Sequence, residues 1–215
     1  MNKTTILLIR HGQSMGNILG VFTGHTGHPL SELGYRQAEM TADYISKHYK
    51  ITAVYSSDLP RAFQTAEPIA RAFGLPIVTD ARLREINVGE WENKPFAEMP
   101  VLFPHSFQLW LDDLIHARCP GGESVIEVAG RAVDSITAIA MANPGKCVAV
   151  IAHATTIRSA LWKFSGAPES AMQKLGWGGN CGISELCFEN NVFQIVSQNI
   201  TEHLQDFVTE LPKKL

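Results

Sequence analysis

The chain has 215 residues, 45% apolar and 18% charged, and its 18 Lys and Arg against 21 Asp and Glu leave a net charge of −3. At about 150 residues per domain, that length predicts one domain over residues 1–215, large enough to bury a core without disulfides or metal. The charge excludes a general pull on nucleic acid, and four cysteines without a CxxC pair exclude a disulfide scaffold and fit a reducing cytoplasm.

The N-terminus holds only a short apolar stretch, Ile6 to Ile9, before Arg10, and no segment approaches the roughly 18 apolar residues of a membrane span. A cytoplasmic location without a membrane partner is therefore expected. Thr5 to Ile9 is uniformly apolar or β-branched and predicts a buried strand ending at Arg10-His11-Gly12. After a loop rich in Gly and His, Ser31 is a candidate N-cap for a helix from Glu32 to His48, with Ala38, Ala42 and Ile45 on one face. Thr52 to Tyr55 is strand-like, Ser56-Ser57-Asp58 breaks it, and Pro60 suits the first turn of a helix that stops at Gly74. That helix is expected to bury Phe63, Ala66, Ile69 or Ala70, and Phe73.

Pro76 to Pro120 is less periodic and carries Trp91, Phe96, Phe103, Phe107 and Trp110, which predicts a helical excursion at about 90–120 covering one rim. Most of these aromatics read as packing between helix and sheet, with an apolar wall over a ligand as the second reading. Ser124 and Glu127 form a capping box ahead of Val125, Val128, Ala132, Ile136 and Ile139 at helical spacing. Lys146 to Ala152 is a second buried strand, followed by His153 and a helix through Ile157, Leu161 and Trp162. Gly182 to Phe188 and Val192 to Ser197 read as strands joined through Asn190-Asn191. Strands alternating with helices predict an α/β layer protein.

Two of the buried strands end in histidine, Ile9-Arg10-His11 and Ile151-Ala152-His153. Ligands of open α/β sheets gather at the carboxyl ends of strands, so both imidazoles could share one crevice. Arg10 beside His11 cannot be buried comfortably without an anion, which marks the segment as an anion site.

The string Leu8-Ile9-Arg10-His11-Gly12-Gln13-Ser14 with Asn17 resembles the signature of the histidine phosphatase superfamily, which includes cofactor-dependent phosphoglycerate mutases and small phosphatases. Four further segments resemble that family in the expected order. They are Ser56-Ser57-Asp58-Leu59 with Arg61, Leu83-Arg84-Glu85 with Gly89 and Trp91, Gly121-Gly122-Glu123-Ser124, and Val150-Ile151-Ala152-His153-Ala154 with Arg158.

The resemblance implies a three-layer α/β/α sandwich with a mostly parallel sheet. It assigns His11 as the nucleophile that becomes a phosphohistidine, which requires a neutral imidazole. Arg10 and Arg61 are assigned to clamp the phosphoryl oxygens, and His153 to donate to one of them, best in its protonated form. Glu85 would protonate the departing ester oxygen and then take a proton from water. Gln13, Asn17, Thr23, Gly24 and Ala154 are placed around the substrate. Gln13 stands at a commonly acidic position, and Ala154 where the family usually has glycine. Alanine there is harmless at negative φ. Asp58 and Arg158 read as structural anchors.

The family chemistry needs no metal, and no cofactor is expected for this chain. His25 and His28, near Glu32, therefore read as structural or substrate-rim residues, and Cys119 has no base placed to activate it.

A mutase and a phosphatase share the first half of this mechanism. The excursion and the helix behind it supply only Lys94, Arg118 and Arg131 as permanent cations, poor provision for a bisphosphate. The expected function is metal-independent hydrolysis of a small phosphorylated metabolite, such as a phosphosugar or phosphorylated carboxylic acid. Two alternatives stay open: a 2,3-bisphosphoglycerate-dependent phosphoglycerate mutase, and a weakly catalytic member that binds a phosphorylated ligand or protein. The expected partner is a small phosphate ester and not nucleic acid, with a homodimer as the default assembly.

Overall fold

A computed structural model describes residues 3–211. In chain order the strands are β1 (Thr4–Arg10), β2 (Ile51–Ser56), β3 (Ile77–Thr79), β4 (Cys147–Ala152), β5 (Ile183–Glu189) and β6 (Val192–Ile200). The helices are α1 (Met15–Leu19), α2 (Glu32–His48), α3 (Pro60–Phe73), α4 (Met99–Leu102), α5 (Pro104–Asp112), α6 (Val125–Ala142) and α7 (Ala154–Ser165). The strands form one sheet in the order β3-β2-β4-β1-β5-β6. Pairings among β1 to β4 are parallel, while β5 is antiparallel to both β1 and β6.

Alternation along β1 divides the core. Ile6 and Leu8 pack with Ile136 and Ile139 of α6 and Ile157 and Leu161 of α7. Leu7 and Ile9 pack with Ala42 and Ile45 of α2 and Ala62, Ala66 and Ile69 of α3. Helices therefore cover both faces, and the fold is a three-layer α/β/α sandwich. All four β1 side chains are fully buried, each burial favouring folding by about 1.5–3 kcal/mol.

Helix ends follow local chemistry. The Ser31 hydroxyl accepts from the Gly34 N–H, Pro60 opens α3, and Gly74 closes it at φ 64°. The capping box at Ser124 and Glu127 is present. Asn190 and Asn191, at φ 53° and 62°, make the turn between β5 and β6.

Two expectations need correcting. Phe63 and Phe73 are only half-buried, and Arg61 and Thr65 occupy the inner face of α3 instead. The three-residue β3, with two of its side chains exposed, lies where no strand was expected because it has no apolar alternation to reveal it. Between Trp91 and Asp112 the chain forms short helical pieces, and Trp91, Phe107 and Trp110 join Phe22 in a third apolar cluster beside the sheet.

Parallel pairing brings the carboxyl ends of β1, β2 and β4 to one edge of the molecule. Because β5 runs the other way, the segment that precedes it arrives at the same edge.

Candidate active site

Arg10 and His11 leave the end of β1, His153 leaves β4, and Arg61 lies in the first turn of α3 behind β2. All four are at least 96% buried, and the His11 and His153 ring centroids are 5.1 Å apart. His11 Nδ1 donates to the Gly12 carbonyl at 2.7 Å, and Arg61 Nε donates to His11 Nε2 at 3.3 Å. Together these bonds fix the neutral tautomer with its lone pair on Nε2. Burial, followed by the charges of Arg61 and Arg10, holds the His11 pKa well below its usual value, overriding the Gly12 bond that opposes the shift.

His153 shares this environment. Burial, then Arg61 and His11, also drive its pKa well below the usual value, so at neutral pH it is neutral and not the cation expected. Its Nε2 meets the Ser57 hydroxyl at 2.8 Å, and its Nδ1 has no partner. With Ser57 donating to Nε2 the proton would sit on Nδ1, the tautomer in which a neutral imidazole still offers an N–H donor.

Burial lowers the guanidinium pKa of both Arg10 and Arg61 to about 10, which leaves each charged at neutral pH. Among the described residues no carboxylate lies within salt-bridge distance of either. Arg10 donates once, to the Gly178 carbonyl at 2.6 Å, and its Nε is unpartnered. Arg61 is more heavily engaged. Its terminal nitrogens donate to the carbonyls of Thr23, Gly24 and Thr26 at 2.9 to 3.0 Å, so only Nε is turned to His11. The open fork expected of Arg61 is thus a loop clamp with one donor facing the site.

Glu85 approaches from the α7 side. Its carboxylate accepts from the N–H groups of Ile86 at 2.9 Å and Thr155 at 3.2 Å, the latter in the first turn of α7, where the helix dipole favours an anion. A cavity of about 60 Å³, open at its mouth, is lined by Arg10, His11, Asn17, Thr23, Glu85 and Ala154 among others. Asn17 Oδ1 accepts from Ser14 and Asn180, which leaves Nδ2 as the polar atom that Asn17 can offer a ligand.

Residues 6–201 match the sequence profile of the histidine phosphatase superfamily, branch 1. The chain belongs to that superfamily. It is 33% identical over 190 residues to a probable phosphoglycerate mutase of Yersinia pestis, covering 86% of each chain. Among solved structures it resembles a mycobacterial glucosyl-3-phosphoglycerate phosphatase, with 26% identity, a TM-score of 0.84, and 93% of this chain and 100% of the other covered. A phosphoserine phosphatase of Entamoeba histolytica aligns with 26% identity and a TM-score of 0.79, over 94% and 99% of the two chains.

Two residues placed around the substrate by resemblance lie outside the lining of this cavity. The Gln13 side chain accepts from the Ser31 hydroxyl, bracing the start of α2, and does not line the cavity. Gly24 lies outside the lining as well. A Cβ there would fall 2.5 Å from the Ile86 carbonyl and 2.6 Å from Glu92 Oε1, so glycine permits close loop packing.

Ala154 is the first residue of α7 and has no positive φ, so its methyl group carries no backbone penalty. Asp58 pairs with Arg84, whose Nε donates at 2.7 Å, and Arg158 holds the Met172 carbonyl at 2.8 Å and lies over the Trp177 ring. Both anchor segments of the site's frame. His25 Nε2 meets the Glu85 carbonyl at 2.9 Å and His28 Nε2 meets Asn93 Oδ1 at 2.8 Å. Among the described residues no group of three His, Cys, Asp or Glu is placed to hold a metal. Burial, with Glu85 and Glu123 nearby, pushes the Cys119 thiol up to about 12, so it is no nucleophile at neutral pH. No helix among the described residues is long and apolar enough to cross a membrane.

Sequence reading missed Ser57, which orients His153, and Asn180, whose Nδ2 donates to the His11 carbonyl at 3.0 Å. It also missed Trp177 and Leu211 in the cavity wall. Trp177 had one visible sign, a large aromatic between glycines in Gly176-Trp177-Gly178-Gly179.

Proposed function

We propose that this chain is a phosphomonoesterase that hydrolyses a small phosphorylated metabolite, without a metal, through a phosphohistidine on His11. One observation carries the reading: two buried, charged guanidinium groups, with no carboxylate within salt-bridge distance among the described residues, flank a neutral imidazole whose lone pair is on Nε2. A dianionic phosphoryl group supplies the missing charge and places phosphorus beside that nitrogen.

In the first step His11 Nε2 forms a bond to phosphorus as the ester P–O bond breaks, and Glu85 delivers a proton to the departing oxygen. Arg61 Nε must release His11 and turn to a phosphoryl oxygen, joined by Arg10 and by the partnerless Nδ1–H of His153. In the second step water attacks phosphorus, gives its proton to Glu85, and the P–N bond breaks, restoring neutral His11. Inorganic phosphate leaves.

Superfamily membership and the phosphatases among the similar structures support this reading. A mutase reading draws on the Yersinia relative. Against it stand the cations of the excursion. Arg118 bonds to Gly122 and Glu127, Arg131 to Glu123 and the carbonyls of residues 82, 84 and 85, and Lys94 is exposed outside the cavity lining.

The test is a panel of phosphate monoesters assayed with and without EDTA, alongside conversion of 3-phosphoglycerate to its 2-isomer with catalytic 2,3-bisphosphoglycerate. Phosphate release insensitive to EDTA, lost by about 10⁴-fold or more in His11→Ala, is the expected outcome. Isomerisation outpacing hydrolysis would establish the mutase instead, and binding of a phosphopeptide without any turnover would establish a binding protein.

A further inference from the structure

The cavity has two chemically different halves. Arg10, His11, Asn17, Thr23 and Glu85 gather at the phosphoryl end. The remainder is formed largely by Phe22, Val88, Phe96, Trp110, Trp177 and Leu211, drawn from four separate stretches of chain. These rings hold one another in place. Phe22 meets Phe96 edge-on at 4.8 Å and Trp110 at 5.9 Å, and Trp110 stacks on Trp177 at 6.0 Å with only 10° between their planes.

Among the described residues Arg10 is the only Lys or Arg in the lining, and it belongs to the phosphoryl end. Among the described residues the nearby arginines are turned away. Arg84 pairs with Asp58, Arg118 and Arg131 are bonded into the rim, and Arg158 holds the carbonyls of residues 172 and 173 outside this cavity. Trp110 adds a single indole N–H without a partner, enough for one acceptor oxygen and not for a polyol.

We infer that the substrate is the phosphate monoester of an apolar or aromatic alcohol, and not a phosphosugar or a phosphorylated carboxylic acid. The inference rests on the proposed phosphatase reading and narrows it. A carboxylate on the leaving group would lose its water against hydrocarbon, and no cation of the wall among the described residues meets it. Each sugar hydroxyl buried without a partner would weaken binding about fivefold to a hundredfold. An alkyl or aryl body instead gains about fourfold for each methylene it buries.

Hydrolysis is compared across primary-alcohol esters, whose similar leaving groups keep the chemistry nearly constant: ethyl, butyl, hexyl and 2-phenylethyl phosphate against ribose 5-phosphate and 3-phosphoglycerate. The expected result is kcat/KM rising about fourfold per methylene until the wall is covered, with hexyl and 2-phenylethyl phosphate at least about tenfold above both polar esters. A flat alkyl series, or preference for either polar ester, overturns the inference.

Phe96→Arg places a cation on the wall. It is expected to lower kcat/KM for hexyl phosphate about tenfold or more and to raise it for 3-phosphoglycerate, with competitive inhibition by inorganic phosphate retained as evidence of an intact phosphoryl end. If no ester is hydrolysed the proposed function fails, yet the wall can still be read by calorimetry with phosphonates. Hexylphosphonate binding at least about tenfold tighter than phosphonoacetate then supports an apolar ligand, and the reverse order overturns it.

Discussion

The two ends of the cavity are built on opposite plans. At the phosphoryl end, His11, Arg10 and His153 follow directly from β1 and β4, so the central strands set their backbone positions. At the far end, Phe22, Phe96, Trp110 and Trp177 come from loops and short helices far apart in sequence and are held chiefly by packing on one another. Rigid strands position the chemistry, and loops that evolution can change cheaply shape the leaving-group side. Substitutions at the first end should change turnover of every ester, while those at the second should change which ester is preferred.

Glu85→Gln tests the first half of that contrast most severely. It should cut kcat on alkyl phosphates by about 10² to 10⁴-fold, and much less on p-nitrophenyl phosphate, whose leaving group needs no proton. Equal losses on both esters would remove Glu85 as the acid. Gly24→Ala probes the joint between the ends. Its Cβ would meet Ile86, Glu92 and Val88 at 2.5 to 2.8 Å, displacing a loop that carries carbonyl partners of Arg61. Activity should fall about tenfold or more on all esters, with about 1–3 kcal/mol lost in urea unfolding.

A pH titration separates the halves by charge. The folded-state pKa values of His11 and His153 are depressed, so below about 6.5 the unfolded chain binds protons that the folded protein does not. Stability is therefore lost as pH falls below about 6.5, by up to about 1.4 kcal/mol per pH unit for each histidine until its folded pKa is reached. Replacing His153 by Asn should remove one of these contributions from the slope measured between pH 6.5 and 5, whereas Phe96→Ala should leave the slope unchanged. The smallest effect belongs to Ala154→Gly. It should change kcat/KM by less than about threefold and cost at most about 1 kcal/mol, because the alanine already has an unstrained backbone.

The phosphoryl end was legible because its signals are local. Arg10-His11-Gly12 and Ala152-His153 are read within a few residues of the strands that carry them, and Ser31, Pro60 and Gly74 announce the bounds of α2 and α3 through caps that need no tertiary partner. The surroundings of Gln13 and Gly24 were not legible because adjacency to a motif does not reveal a side chain's direction. Gln13 turns to Ser31, and the demand on Gly24 comes from residues more than 60 positions away. Protonation of His153 was misjudged for a related reason, since the proximity of Arg61 and the depth of burial exist only in the fold. The wall was least legible of all, because Phe22 and Trp177 become neighbours of Trp110 only through tertiary packing.

Arg61 joins these two plans in a single side chain. Its Nε faces His11, while its terminal nitrogens grip the carbonyls of Thr23, Gly24 and Thr26. In the proposed mechanism Nε would leave His11 for the incoming phosphoryl group, and that movement would pull on the loop bearing Thr23, part of the cavity lining. On that reading recognition and bond making are mechanically geared, and an engineer who reshapes this loop for a new leaving group should expect KM and kcat to shift together.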